Sequence, residues 1–210
     1  MYAADGSAIN GEFRINTVTT ANQYDSDVTA LTSGGFVVTW TSYLQDGSGL
    51  GVFAQRYDSS GVTVGNEFQV NTTTVSNQKG PSVAALSDGG FVVAWESWQQ
   101  DGSSYEIVTQ RYDSAGNTVG TEILVNTTTT YQQTEPHVIG LDDGGFVVVW
   151  TDSSGADAHS EGIFTQRFAS DGTPVGGEEL INSFTSNAQN RPEVAQLTDG
   201  SLAFTWTSNW

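Results

Sequence analysis

The stretch Asp88-Gly89-Gly90-Phe91-Val92-Val93-Ala94-Trp95 decides the fold. Its second half alternates: Phe91, Val93 and Trp95 fall on one face of an extended chain, Val92 and Ala94 on the other, which is the two-residue period of a strand. Its first half is a turn, because glycine supplies the positive φ that a tight hairpin requires. Nearly the same string returns at 143–150, ending on Trp150, and the shorter Thr198-Asp199-Gly200 turn precedes Trp206.

Working outward, Trp40, Trp95, Trp150 and Trp206 recur at a spacing of about 55 residues, and so do Asn16, Asn71, Asn126 and Asn182. One repeat reads as four strands, roughly 82–86, 91–97, 105–112 and 121–125, with a second turn at Asp113-Ser114-Ala115-Gly116. Four short strands at this period suit a radial array of twisted sheets better than a stacked solenoid, whose repeat is shorter. The expectation is an all-β chain forming one domain, a four-bladed β-propeller. Its repeats span residues 16–70, 71–125 and 126–181, with a last blade drawn from 182–210 plus 1–15. In that reading residues 12–15 supply the last blade's fourth strand, and most of its third strand is missing. The blade is then incomplete, filled by another chain, or part of a longer array.

Composition narrows the partners. Six basic residues face 24 acidic ones in 210, a formal charge of −18, which repels nucleic acid and anionic lipid. No apolar run is long enough for a membrane-spanning helix, and residues 1–11 lack the basic and apolar regions of a cleavable leader. There is no cysteine, so disulfides and thiolate metal sites are excluded. Carboxylates are the ligands calcium prefers. Asp25, Asp27, Asp152 and Asp157 are the candidate Ca2+ ligands, although no EF-hand spacing surrounds them.

The recurring polar residues have structural readings. Arg56, Arg111 and Arg167 each precede a glutamate, Glu67, Glu122 and Glu178, by eleven positions, which predicts an ion pair between third and fourth strands. Gln23, Gln78, Gln133 and Gln189 each follow an asparagine by seven, a pair suited to holding the backbone of a long connection. Pro81, Pro136 and Pro192 fit the entry of a strand. The four recurrent tryptophans read as core.

Candidate ligand-binding residues are aromatics that vary between repeats, Tyr43, Trp98 and Trp210. They lie beside polar loops containing Asp46 and Asp101, the combination of ring and hydrogen-bonding groups that holds a sugar. Catalysis has little local signature, since the two histidines, His137 and His159, are non-equivalent and no nucleophile motif is present.

The strings at 88–95 and 143–150, Gln-Arg-Tyr-Asp at 55–58 and 110–113, and Phe-Gln-Val-Asn-Thr at 68–72 resemble repeats of large secreted bacterial hemolysin-type calcium-binding (RTX-like) proteins and adhesins. The resemblance implies an extracellular or cell-surface setting and a carboxyl-terminal export signal. The first functional expectation is therefore a non-catalytic module binding glycan or another surface ligand. A structural unit that self-associates through its incomplete blade is the second, and a glycosidase the third.

Overall fold

Leu86 and Gly90 close the hairpin read at 88–95: the Leu86 amide donates to the Gly90 carbonyl at 2.9 Å, with Gly89 at φ +91°. The computed structural model describes residues 1–9, 11–100, 102–155 and 161–209, and among them the chain is all-β, with 14 strands. The first sheet contains β1 (Gln23–Ala30), β2 (Phe36–Tyr43), β3 (Leu50–Tyr57) and β4 (Thr63–Gln69). The second contains β5 (Gln78–Ala85), β6 (Phe91–Trp98), β7 (Tyr105–Tyr112) and β8 (Thr118–Leu124). The third contains β9 (Gln133–Gly140), β10 (Phe146–Asp152), β11 (Gly162–Phe168) and β12 (Pro174–Leu180). A two-stranded sheet, β13 (Gln189–Gln196) and β14 (Leu202–Ser208), follows. Every pairing is antiparallel between consecutive strands, and β1, β5, β9 and β13 pack one against the next, as the inner strands of propeller blades do.

Alternation places the core between blades. Phe91, Val93 and Trp95 meet Val37, Val52 and Val70 of the first blade, whereas Val92 and Ala94 face Phe146, Val148 and Trp150 of the third. Val147, Val149 and Ile163 then cover Val194 and Phe204. Each such side chain removed from water contributes about 1.5–3 kcal/mol, so the blades stabilise one another rather than themselves.

The asparagines work as read. Asn126 accepts the Ile107 amide at 2.8 Å and donates to Thr128 and Gln133, and Asn71 and Asn182 repeat the arrangement. The arginine–glutamate pairing does not form. Arg56 donates instead to the carbonyls of Ser114 and Ala115 in the next blade's turn, and Glu122 accepts the Thr72 amide from the connection before its own blade. Arg167 pairs with Asp143, and Arg111 lies 3.7 Å from Asp88. Arg56 thus ties neighbouring blades, whereas Arg111 and Arg167 meet an aspartate in a turn of their own blade; the eleven-residue offset leaves each arginine and its glutamate out of register across a bulge.

The prolines sit at bulges within the inner strands, where the ladder already shifts register between Lys79 and Ser82, rather than at the strands' first positions. Residues 11–16 form no strand. They lie over the first blade's outer face, with the Tyr57 hydroxyl donating to the Ile15 carbonyl at 3.0 Å, as Tyr112 does to Val70 one blade later. The sheet β13–β14 remains two-stranded among the described residues.

Candidate functional site at the blade axis

Four glutamines, Gln23, Gln78, Gln133 and Gln189, open the four inner strands, and two residues beyond each the backbone turns left-handed. That position carries Asp25 (φ 50°), Gly80 (φ 60°), Glu135 (φ 56°) and Arg191 (φ 54°). Positive φ costs a side chain of this size energy, so three non-glycine residues here mark a conformation fixed by its surroundings. The bulge breaks the strand's alternation, and Glu135 and Arg191, with the residues two positions further on, line the recess where the inner strands converge.

Those further positions hold Asp27, Ser82, His137 and Glu193. With Glu135 and Arg191 they line a recess of about 440 Å³. The first three each link their strand to the next: Asp27 accepts the Val83 amide at 2.8 Å, Ser82 the Val138 amide and His137 Nδ1 the Val194 amide, both at 3.2 Å. This structural duty needs one acceptor atom and is met equally by carboxylate, hydroxyl or imidazole, so it does not account for the variety of residues. Accepting at Nδ1 leaves the His137 proton on Nε2, which faces Glu193 Oε2 at 3.2 Å.

Glu135 is the hub. Its Oε2 accepts the Arg191 amide at 2.8 Å and the Thr151 hydroxyl at 2.9 Å, and the Arg191 side chain lies 3.8 Å from its Oε1. Its own amide donates to Glu96 Oε1 at 3.0 Å. Glu96 is 6% exposed and pairs with Lys79 Nζ at 3.1 Å, and that ammonium also lies 4.5 Å from the centre of the Tyr105 ring. Burial raises the Glu96 pKa above the ordinary glutamate range, against the Glu135 amide and the Lys79 charge, which lower it.

The asparagines, glutamines and tryptophans are identical at equivalent positions of the repeats. At the axis the residues differ. That contrast was present in the sequence, two and four residues after each glutamine, and it is the signal by which Glu135, His137, Arg191 and Glu193 are found.

The residues singled out from sequence lie mainly outside this recess. Tyr43 is exposed at the end of β2, and Trp98 occupies the equivalent place on β6, edge-on to Tyr105 with centroids 4.8 Å apart. Asp46 accepts the Ser48 amide in its own loop. Asp101, Asp157 and Trp210 lie outside the described residues. Of the calcium candidates, Asp25 and Asp27 share β1, whereas Asp152 is buried at the end of β10, accepting from Gln133 and Ser154. Among the described residues no group of three or more histidines and carboxylates is arranged to hold a metal.

No family model matches the chain, and no curated protein does. Solved structures do match. An endo-arabinase from Bacteroides thetaiotaomicron is 18% identical with a TM-score of 0.52, over 86% of this chain and 68% of that one. A Hadza microbial sialidase is 13% identical with a TM-score of 0.62, over 89% and 42%. A GH93 α-L-arabinofuranosidase of Fusarium graminearum, solved with arabinobiose, is 12% identical with a TM-score of 0.61, over 91% and 59%. The chain thus spans between 42% and 68% of the length of these structures. At such identities the shared property is the propeller fold.

These matches correct two expectations. The folds returned are those of glycoside hydrolases, not of hemolysin-type proteins or adhesins. The same finding runs against the expectation of a non-catalytic binding module, because the structures matched are endo-arabinase, sialidase and arabinofuranosidase.

Proposed function

We propose that this chain hydrolyses glycosidic bonds at the axial recess. The observation that carries the reading is the variety of residues in the recess: repeats that share their asparagines, glutamines and tryptophans present Asp27, Ser82, His137 and Glu193 there from one inner-strand position, with Glu135 and Arg191 from the other. The carboxylates Glu135 and Asp27 come from the non-adjacent strands β9 and β1, an arrangement suited to flanking a bond. Glu135 gives its proton to the leaving oxygen as the anomeric carbon–oxygen bond breaks. Asp27 takes a proton from the water whose oxygen bonds to that carbon. Arg191 then balances the Glu135 charge.

Seating of the recess between β1 and β13 also supports reading β13–β14 as the fourth blade of a ring, with residues 12–15 at its seam. A glycan substrate in turn favours an extracellular setting.

The test is turnover of chromogenic arabinosides and sialosides by the wild type, Glu135→Gln and Asp27→Asn. Each variant is expected to lose at least about 100-fold in kcat with its melting temperature kept. Absence of turnover by the wild type across the panel, or full activity in Glu135→Gln, would end the reading.

A further inference from the structure

Position 96 is where the second blade departs from its repeat. The equivalent residues of the other blades are Thr41, Thr151 and Thr207. Thr41 accepts the amide of Gly80 through Oγ1 at 3.0 Å, the same bulge amide, one blade earlier, that Glu96 accepts from Glu135. Threonine is therefore enough to fix the bulge. The carboxylate brings something the fold does not need: a buried charge with an ammonium partner, placed directly behind a residue of the recess.

We propose that Glu96 is a positioning residue for the axial site, a buried carboxylate that holds the left-handed backbone of Glu135 and couples its own proton to the charge state of that side chain. This rests on the reading of the recess as hydrolytic. Glu96 does not line the recess, so it acts only through Glu135. The groups that act on it are Lys79 from β5 and Glu135 from β9, with Asp25 and Tyr24 of β1 and Tyr105 of β7 reaching it through Lys79. Across the recess Glu135 faces Asp27, His137, Arg191 and Glu193. Burial keeps a proton on Glu96 above the ordinary glutamate range, directly behind the Glu135 amide that it accepts at 3.0 Å.

The experiment uses Glu96→Thr, which restores the residue of the repeat, and Glu96→Gln, which keeps the shape without the charge. Two readouts are taken. In the pH–rate profile both variants lose at least tenfold in kcat, with KM within about twofold, and one limb of the wild-type profile disappears. In amide NMR the Glu135 N–H of the wild type shows a titration centred above the ordinary glutamate range, and both variants lack it. Unchanged kcat and pH profile, or a Glu135 amide titration that survives Glu96→Thr, would overturn the proposal. If the wild type turns over no glycoside, the hydrolytic reading falls by itself, and the amide titration still decides whether Glu96 governs Glu135.

Discussion

The guanidinium of Arg56, in the first blade, donates to the carbonyl of Ser114 in the second at 2.7 Å, and to that of Ala115 beside it. Two successive carbonyls are met by one planar fork, which a lysine ammonium has no geometry to match. Partial solvent exposure limits the gain, so Arg56→Ala and Arg56→Lys are each expected to lose about 1 kcal/mol in urea denaturation. A lysine variant as stable as the wild type would show that charge alone matters here.

The indole of Trp95 is fully buried, packed with Phe91 and Val93 against the first blade. Trp95→Ala removes the largest side chain from a contact that two blades share. The expected loss is about 3–5 kcal/mol, with the cavity adding to the lost transfer energy. Since both blades lean on this ring, unfolding should stay a single transition at a lower midpoint; two separate transitions would show that the blades are stable singly.

What the sequence disclosed depended on how far away each residue's partner lay. The Gly89 turn, the faces of residues 91–95 and the Asn126–Gln133 pair were legible because their causes are local. The Arg56 and Glu122 contacts were not, because their partners lie about one repeat or more away along the chain and meet them only when blades pack. Pro136 was read as a strand entry because a bulge has no composition of its own to announce it. Asp27 was read only as a calcium candidate, and Glu135 was not singled out. Their meaning lies in their difference from Gly80 and Ser82 at the same places.

Asn126 satisfies three groups at once, accepting the Ile107 amide and donating to Thr128 and Gln133, while only 1% exposed. Asn126→Ala leaves a buried amide without an acceptor, which costs about 1–3 kcal/mol for that group alone. Asn126→Asp keeps the acceptor but places a carboxylate against the Thr128 carbonyl, so it should be no better than alanine at neutral pH. Chemical denaturation of both variants checks this, and an aspartate variant matching the wild type would count against it.

Calcium is tested by its removal. Among the described residues, Asp25 and Asp27 sit on β1 without a third carboxylate or histidine arranged to join them, and Asp152 is committed to Gln133 and Ser154. The melting temperature is therefore expected to be the same in EDTA as in millimolar calcium. A rise in calcium that Asp25→Asn abolishes would instead place the ion at the axis.

Glu96 gives stability a pH dependence of unusual sign. Its carboxyl holds a proton to higher pH in the fold than in the unfolded chain, because burial disfavours the charged form more than Lys79 and the Glu135 amide favour it. Such a group supports the fold fully below the ordinary glutamate range, and that support is lost as pH rises through its raised folded value. Glu96→Gln has no proton to lose, so its melting temperature should gain on the wild type as pH rises above the ordinary glutamate range. The turn aspartates Asp58, Asp113, Asp171 and Asp199 act oppositely: hydrogen bonds from Ser60, Asn117, Thr173 and Ser201 hold their pKa values down, and their support is lost only in acid. They are common to both proteins and drop out of the difference. Calorimetry from the glutamate range upward in pH isolates Glu96, and a difference between the two proteins that does not change with pH would mean that its carboxyl titrates as it does in the unfolded chain.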